Sequence, residues 1–247
     1  MKKLFLTSSL GTNIKIDEQR YPCEIDNSNN MIEVLKEALN LENKLVLISS
    51  NPFDYERNDE VYAITKESFM MSGFNFKEIV MLDQRNRREV KEHLKGADLI
   101  ILCGGHVPTQ NDWFKEIGLS SILKEYEGII IGQSAGSMNA AGMVYACPEL
   151  EGEAIDPSYK RWIEGLGLTD LNIFPHYAEL INEELDGLKL MDEIVLKDSF
   201  ERPIYTLNDG SFIEISESNT IIHGECYKIS NGIITYICKN GNKVNLT

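Results

Sequence analysis

The chain has 247 residues, 43% of them hydrophobic, which is enough apolar material for one large domain. Its formal net charge is −15 at pH 7, and its few basic clusters lie among acidic residues. Proteins that bind nucleic acid need a basic stripe, so the composition excludes that class of partner. The apolar start of the chain stops at Leu6, too early for a secretion signal, and no apolar run is long enough to span a membrane. We therefore expect a cytoplasmic protein with no membrane partner.

The cysteines give a second indication of the compartment. Their number is odd, and they are widely scattered, at Cys23, Cys103, Cys147, Cys226 and Cys238. Neither a disulfide framework nor the paired spacing of a zinc site is present. The pattern predicts a reducing compartment and no metal site.

The first two thirds of the chain alternate short apolar runs with amphipathic stretches. The apolar runs predict strands at 3–7, 44–49, 78–81, 98–103 and 128–132. Helical spacing of apolar residues predicts helices at 31–39, 61–71, 89–94 and 113–125. Strands that are apolar throughout and alternate with helices are typical of a parallel sheet covered on both faces. We therefore predict an α/β fold.

The last third of the chain has a different pattern. Short strands are predicted at 203–207, 211–215, 220–223, 226–229 and 232–238. Asn-Asp-Gly at 208–210 and Ser-Asn-Gly at 230–232 separate them as hairpin turns. No repeat or linker interrupts the chain. We predict a single α/β domain over 1–247 with a β-rich C-terminal part from about 203 to 247.

The most informative motif is Gly-Gln-Ser-Ala-Gly at 132–136, which follows an apolar strand. Glycines two positions either side of Ser134 allow a sharp turn from strand to helix. Such a turn exposes the serine hydroxyl beside the free N–H groups of a helix start. The pattern is typical of a serine nucleophile, but an ordinary glycine-rich turn has it too. Other residues are needed to distinguish the two interpretations.

A serine nucleophile needs a base, and His176 is the best candidate. Pro175 fixes the path of the chain into this histidine. His106 follows Gly104-Gly105 at the end of a predicted parallel strand, where sites in such sheets form. We expect His106 either to line a substrate site or to bond its own loop.

The glycines before His106 suggest how an oxyanion would be held. Gly104 and Gly105 end the strand that precedes the serine strand, so their backbone can approach a substrate closely. The N–H groups of Gly105 and Ala135 are candidate donors to an oxyanion. A tight turn is the alternative interpretation of Gly104-Gly105.

Three motifs in this order resemble the peptidase E family, which holds dipeptidase E and the cyanophycinases. They are Gly-Gly at 104–105, Gly-x-Ser-Ala-Gly at 132–136 and Phe-Pro-His-Tyr at 174–177. The resemblance covers roughly residues 1 to 210. It implies a flavodoxin-like fold similar to class I glutamine amidotransferases, and a serine peptidase that acts on small peptides without a metal or organic cofactor.

The resemblance also assigns roles by position. It makes Ser134 the nucleophile and His176 the general base. The acid of the family lies about fifteen residues after the serine, and in this chain the count reaches Glu149. Three nearby acids are possible substitutes, at Glu151, Glu153 and Asp156.

The chain departs from the family pattern around the expected substrate pocket. His106 stands where the family often has Asn or Asp, and Gln133 replaces a Trp common in dipeptidase E. A preference for N-terminal aspartate, as in dipeptidase E, is therefore left open. Lys160 and Arg161 are candidates for the basic clamp that an anionic substrate would need.

Two other functions remain open at this point. An α/β-hydrolase-type esterase shares the Gly-x-Ser-x-Gly motif and would use His223 with Asp192 or Asp209. A non-catalytic binding module with an amidotransferase-like fold would keep Ser134 without using it as a nucleophile. The sequence gives no indication of the oligomeric state.

Overall fold

The centre of the protein is an eight-stranded sheet, seen in a computed structural model that describes residues 3–246. The strands are, in chain order, β1 (Lys3–Thr7), β2 (Asn13–Ile16), β3 (Gln19–Pro22), β4 (Lys44–Ile48), β5 (Glu78–Leu82), β6 (Leu99–Leu102), β7 (Ile129–Gln133), β8 (Met143–Tyr145), β9 (Trp162–Glu164), β10 (Asn172–Phe174), β11 (Glu184–Leu185), β12 (Leu188–Lys189), β13 (Ile204–Leu207), β14 (Phe212–Ile215), β15 (Thr220–His223), β16 (Cys226–Ser230), β17 (Ile233–Cys238) and β18 (Lys243–Asn245).

Helices alternate with strands along most of the chain. They are α1 (Met31–Ala38), α2 (Tyr55–Met71), α3 (Val90–Leu94), α4 (Val107–Glu116), α5 (Leu119–Lys124), α6 (Ala135–Asn139), α7 (Tyr177–Leu180) and α8 (Leu196–Asp198). A 3-10 turn at Gln84–Glu89 leads into α3, and a π-helical turn at Leu190–Val195 leads into α8.

The order of strands in the main sheet is β18-β15-β14-β1-β7-β6-β4-β5. The five strands from β1 to β5 in this order are parallel, as the sequence predicts. β14, β15 and β18 extend the sheet in antiparallel pairing from β1. The carboxyl ends of β1, β6 and β7 therefore meet at one edge, which is where sites form in such sheets.

Both faces of the main sheet are buried. Alternate residues of a strand point to opposite faces, and Leu6 and Phe5 of β1 belong to two different apolar clusters. One cluster contains Trp113 of α4, and the other contains Leu35 of α1 and Phe69 of α2. The predicted α/β fold, a mostly parallel sheet with helices on both faces, is confirmed.

The strands of the C-terminal part divide between two sheets. β14, β15 and β18 join the main sheet, whereas β13, β16 and β17 form a four-stranded sheet with β10. Each of the five strands predicted after residue 203 is present within about two residues of its expected bounds. The β2–β3 hairpin and the short strands between residues 143 and 189 lack a counterpart in the sequence prediction.

All five cysteines are free thiols. Within residues 3–246, none of the helices combines the length and the apolar character that crossing a membrane would require.

Candidate active site

Ser134 lies in the sharp turn between β7 and α6. Its backbone has φ 50° and ψ −114°, a conformation that non-glycine residues rarely adopt and that costs about 1–3 kcal/mol. Glycine is required on both sides of the turn. A Cβ on Gly136 would stand 2.1 Å from the carbonyl oxygen of Leu102, and one on Gly132 would stand 2.6 Å from Cα of Ser137. The strained turn is therefore held by close backbone packing.

The buried Ser137 joins the start of α6 to the neighbouring strand. Its Oγ accepts a hydrogen bond from the backbone N–H of Thr7 at 2.9 Å. The same oxygen lies 2.7 Å from the carbonyl oxygen of Thr7 and 2.8 Å from that of Gly132. These contacts tie the turn that carries Ser134 to the end of β1.

His176 follows β10 and faces Ser134. Its Nε2 lies 3.0 Å from Oγ of Ser134. The backbone of His176 is left-handed, with φ 55°, and its N–H donates to Oγ of Ser8 at 2.8 Å. Ser8 comes directly after β1, so the end of that strand anchors the histidine.

Asp209 occupies the other side of the His176 ring. Its Oδ1 lies 2.8 Å from Nδ1 of His176 and accepts a hydrogen bond from Oγ of Ser8 at 2.6 Å. Asp209 belongs to the turn between β13 and β14, and β14 pairs with β1, so the turn returns beside Ser8. An ionised carboxylate only accepts hydrogen bonds, so Nδ1 of His176 carries the proton and Nε2 is left to accept from Ser134.

The pKa values of this pair shift in opposite directions. Burial by itself would lower the pKa of His176, but the hydrogen bond to Asp209 and the nearby charges of Asp209, Glu179 and Glu149 outweigh it and raise that pKa. Partial burial would raise the pKa of Asp209, yet the hydrogen bonds from His176 and Ser8 leave it below its usual value. Asp209 is therefore ionised at neutral pH.

Glu149, predicted as the acid that orients His176, does not occupy that position. Both ring nitrogens of His176 have other partners, Asp209 and Ser134. Glu149 lies on a separate loop, where its own backbone N–H donates to the carboxylate of Glu153 at 2.9 Å. Glu149 is exposed to solvent and lines a cavity beside Ser134; desolvation by the surrounding protein and the charge of Glu153 raise its pKa to about 7, against the opposing charge of His176.

None of the three acids considered as substitutes takes the place of Glu149. Glu153 pairs with Nε2 of His106 at 2.9 Å, and Asp156 accepts hydrogen bonds from Ser158. Glu151 is exposed on the same loop. Counting from the serine was therefore misleading, because the acid beside His176 is Asp209, in a turn 33 residues after the histidine.

The predicted oxyanion donors flank Ser134. Gly104 packs against it so closely that a Cβ there would lie 3.2 Å from Cβ of Ser134, and a Cβ on Gly105 would lie 2.3 Å from Oγ of Ser50. Ala135 is the first residue of α6, so its N–H has no acceptor within the helix. Gly104 and Ala135 thus lie against Ser134, and Gly105 lines the same two cavities as the serine.

His106 caps the start of α4 and is held on both sides of its ring. Nδ1 lies 2.8 Å from Oγ1 of Thr109, and Nε2 lies 2.9 Å from Oε1 of Glu153. His106 also lines the cleft beside Ser134. It therefore joins the edge of the cleft to the loop that carries Glu149.

His223 and Arg161 have other partners. The ring of His223 stacks on Phe212 with 4.3 Å between ring centres, and its Nε2 lies 3.4 Å from Glu214. Nε of Arg161 lies 3.7 Å from Asp198. These contacts give no support to His223 as a base or to Arg161 as a clamp at Ser134.

Two cavities meet at Ser134, Gly105 and His176. The polar cleft, of about 800 Å³, is lined by polar side chains and by charges of both signs, the bases Lys15, Arg20 and Arg57 and the acids Asp54, Glu179 and Asp209. The glutamate cavity, of about 550 Å³, is lined by four acids, Glu149, Glu179, Glu183 and Glu184, and by apolar side chains. A third recess, of about 770 Å³, lies around Lys91 and Tyr126 and contains none of the predicted site residues.

Within residues 3–246, no group of three or more His, Cys, Asp and Glu side chains is arranged to hold a metal ion. The chemistry that the arrangement does offer is a hydroxyl, an imidazole and a carboxylate joined in series. This order of groups can activate a serine for attack on a carbonyl carbon.

Comparisons with known proteins found solved structures with a similar fold. A peptidase from an acI-B1 actinobacterium has a similar structure, with a TM-score of 0.69 and 13% identity over 99% of this chain and 97% of that one. A putative peptidase E protein from Listeria monocytogenes EGD-e gives a TM-score of 0.60 and 19% identity over 90% of this chain and 98% of that one. The search of curated proteins gave no match. Residues 26–223 match the sequence pattern of peptidase family S51, and the chain belongs to that family.

Proposed function

We propose that the protein is a serine peptidase that hydrolyses small peptides through an acyl-enzyme on Ser134. The observation that carries the proposal is the continuous series Ser134 Oγ, His176 and Asp209, with distances of 3.0 Å and 2.8 Å between successive groups. The strained backbone of Ser134 supports it, since such strain at a serine between strand and helix is typical of a nucleophile.

Each residue of the series has a defined task. Oγ of Ser134 attacks the carbonyl carbon of the peptide while Nε2 of His176 takes its proton. The N–H groups of Gly105 and Ala135 receive the negative charge on the carbonyl oxygen. The carbon–nitrogen bond then breaks, and His176 returns the proton to the leaving amine. Water, activated by the same imidazole, releases the acid and regenerates Ser134.

Asp209 and Ser8 act through His176. Asp209 holds the proton on Nδ1 and stabilises the imidazolium that forms after proton transfer. Ser8 binds both the carboxylate of Asp209 and the backbone of His176, at 2.6 Å and 2.8 Å. It therefore keeps the acid and the base at a fixed distance from each other.

Labelling with a fluorophosphonate, read by intact mass, tests the proposal. We expect wild type to gain one adduct, Ser134→Ala to gain none, and His176→Ala and Asp209→Asn to react far more slowly. Folded wild type that fails to label would instead favour a non-catalytic binding module. Loss of labelling in His223→Ala but not in His176→Ala would favour the esterase interpretation.

The cytoplasmic location stays a prediction, for which cell fractionation is the direct test.

A further inference from the structure

The glutamate cavity has the composition of a pocket for a long side chain that ends in a positive charge. Its inner wall is apolar, formed by Met138, Phe174, Leu180 and Leu190. Four carboxylates, at Glu149, Glu179, Glu183 and Glu184, share the same cavity, and the described residues that line it include neither Lys nor Arg. A ligand with an aliphatic stem and a terminal cation would suit this cavity, because the stem can pack on the apolar wall while the cation lies near the carboxylates.

Among residues 3–246, no Lys or Arg forms an ion pair with the carboxylates of the cavity. Among the residues that the structure describes, none of the four makes an ion pair, and the carboxylate of Glu149 makes no hydrogen bond. Partial desolvation and the charge of Glu153 raise the pKa of Glu149, whereas the charge of His176, which also lines the cavity, lowers it. A cationic ligand would supply further compensation.

The loop that carries Glu149 is fixed rather than loosely placed. The carboxylate of Glu153 accepts hydrogen bonds from the backbone N–H groups of Glu149 and Leu150 at 2.9 Å and 3.0 Å. From the other side, Asp186 accepts from the N–H groups of Gly152 and Ala154 at 2.8 Å and 2.9 Å. The backbone position of Glu149, in the wall of the cavity that also contains Ser134, is thus set by the fold.

The polar cleft on the other side of Ser134 carries charges of both signs. Lys15, Arg20 and Arg57 line it, each paired with Glu18 or Glu60, and they are the cations that the terminal carboxylate of a short peptide would meet there. A dipeptide with its carboxylate in the polar cleft would extend its N-terminal residue toward the glutamate cavity. An aspartate side chain there would face four carboxylates, and this repulsion disfavours it.

We propose that the glutamate cavity binds the cationic side chain of the residue on the acyl side of the scissile bond, so that peptides with N-terminal Lys or Arg are preferred to those with N-terminal Asp. The inference rests on the proposed peptidase function. It adds the substrate class and names Glu149 as a residue that determines it.

Three dipeptides test this inference: Lys-Leu, norleucine-Leu and Asp-Leu. Norleucine has the same aliphatic stem as lysine without the ammonium group, so the comparison isolates the charge. At about pH 8, where Glu149 is mostly ionised, we expect kcat/KM for Lys-Leu to exceed that for norleucine-Leu about tenfold and that for Asp-Leu about 100-fold. Glu149→Gln should reduce the ratio of Lys-Leu to norleucine-Leu by about threefold to tenfold.

Glu151→Gln is the matched control, because Glu151 lies on the same loop but does not line the cavity. It should leave the ratio of Lys-Leu to norleucine-Leu unchanged. Glu183→Gln provides a second cavity variant, on a different segment, if Glu149→Gln does not fold. The charge reversal Glu149→Lys should raise cleavage of Asp-Leu relative to Lys-Leu.

The outcomes separate this inference from the proposed function. Equal cleavage of Lys-Leu and norleucine-Leu, a preference for Asp-Leu, or an unchanged ratio in both cavity variants would overturn the inference and leave the peptidase intact. Wild type that labels with fluorophosphonate but cleaves none of the three dipeptides would also overturn it. Absence of both labelling and cleavage would remove the proposed function and the inference together.

Discussion

The hydrogen bond between Asp209 and Nδ1 of His176 fixes which ring nitrogen faces Ser134. Asp209→Asn keeps the shape of the side chain but allows the amide to donate to Nδ1, which would move the ring proton to Nε2 and block acceptance from Ser134. We expect kcat/KM to fall on the order of 10³- to 10⁴-fold, measured with norleucine-Leu. Asp192→Asn is the control and should keep wild-type activity. A loss of less than tenfold in Asp209→Asn would contradict the role of Asp209.

The raised pKa of His176 predicts the pH profile of the reaction. The general base must be neutral, so kcat/KM rises as pH increases through the pKa of His176 in the free enzyme. That pKa lies above the ordinary value of 6.5 because Asp209 and nearby carboxylates favour the charged ring. Asp209→Asn removes a negative charge and should move the midpoint of the rise to lower pH. A midpoint that is the same in both proteins would contradict this account.

The sequence pointed to Ser134 and His176, which the structure brings together, but not to the acid beside the histidine. Ser134 and His176 each carry a local signature, a glycine-flanked turn and a proline-guided loop. Asp209 reaches His176 only because β14 pairs with β1, which brings a turn near the end of the chain next to Ser8. Pairing between residues about 200 positions apart leaves no local pattern. The Asn-Asp-Gly turn indicated a hairpin but not the neighbour of that hairpin.

At the scale of elements, the junction of β7 and α6 depends on close backbone contacts that only glycine allows. Gly136→Ala would place a Cβ 2.1 Å from the carbonyl oxygen of Leu102, on the strand beside β7. We expect it to lower the free energy of unfolding by about 1–3 kcal/mol and to reduce fluorophosphonate labelling, because relief of the clash moves Ser134. Urea unfolding followed by circular dichroism measures the first effect. Gly142→Ala is the control, since its Cβ would meet no atom closer than 3.8 Å.

Strands that are buried on both faces of the sheet were predicted more accurately than exposed strands. The inner strands β1, β4, β6 and β7 are apolar at nearly every position, so short apolar runs located them within about two residues. The β2–β3 hairpin is largely exposed and carries mixed polar residues, which gave no apolar run to recognise. The predicted helix at 113–125 is two helices, because Gly118 adopts a left-handed conformation between them.

At the scale of the whole molecule, the β-rich C-terminal part contributes directly to the site. β14 continues the main sheet from β1, and β13 joins the sheet of β10, the strand that leads into His176. The turn between β13 and β14 carries Asp209. The two sheets thus meet at the His176–Asp209 hydrogen bond, so the position of the acid depends on the packing of both.

The net charge of −15 acts on substrates before they reach the site. A protein with this charge raises the local concentration of small cations and repels anions, and salt screens both effects over a distance of about 10 Å at 0.1 M. We expect kcat/KM for Lys-Leu to fall severalfold between about 20 mM and 500 mM NaCl, because attraction toward the glutamate cavity is screened. Norleucine-Leu lacks the side-chain charge and should change much less, whereas Asp-Leu should be cleaved faster at high salt as repulsion weakens. An equal salt response for all three dipeptides would show that the charge of the protein does not contribute to substrate selection.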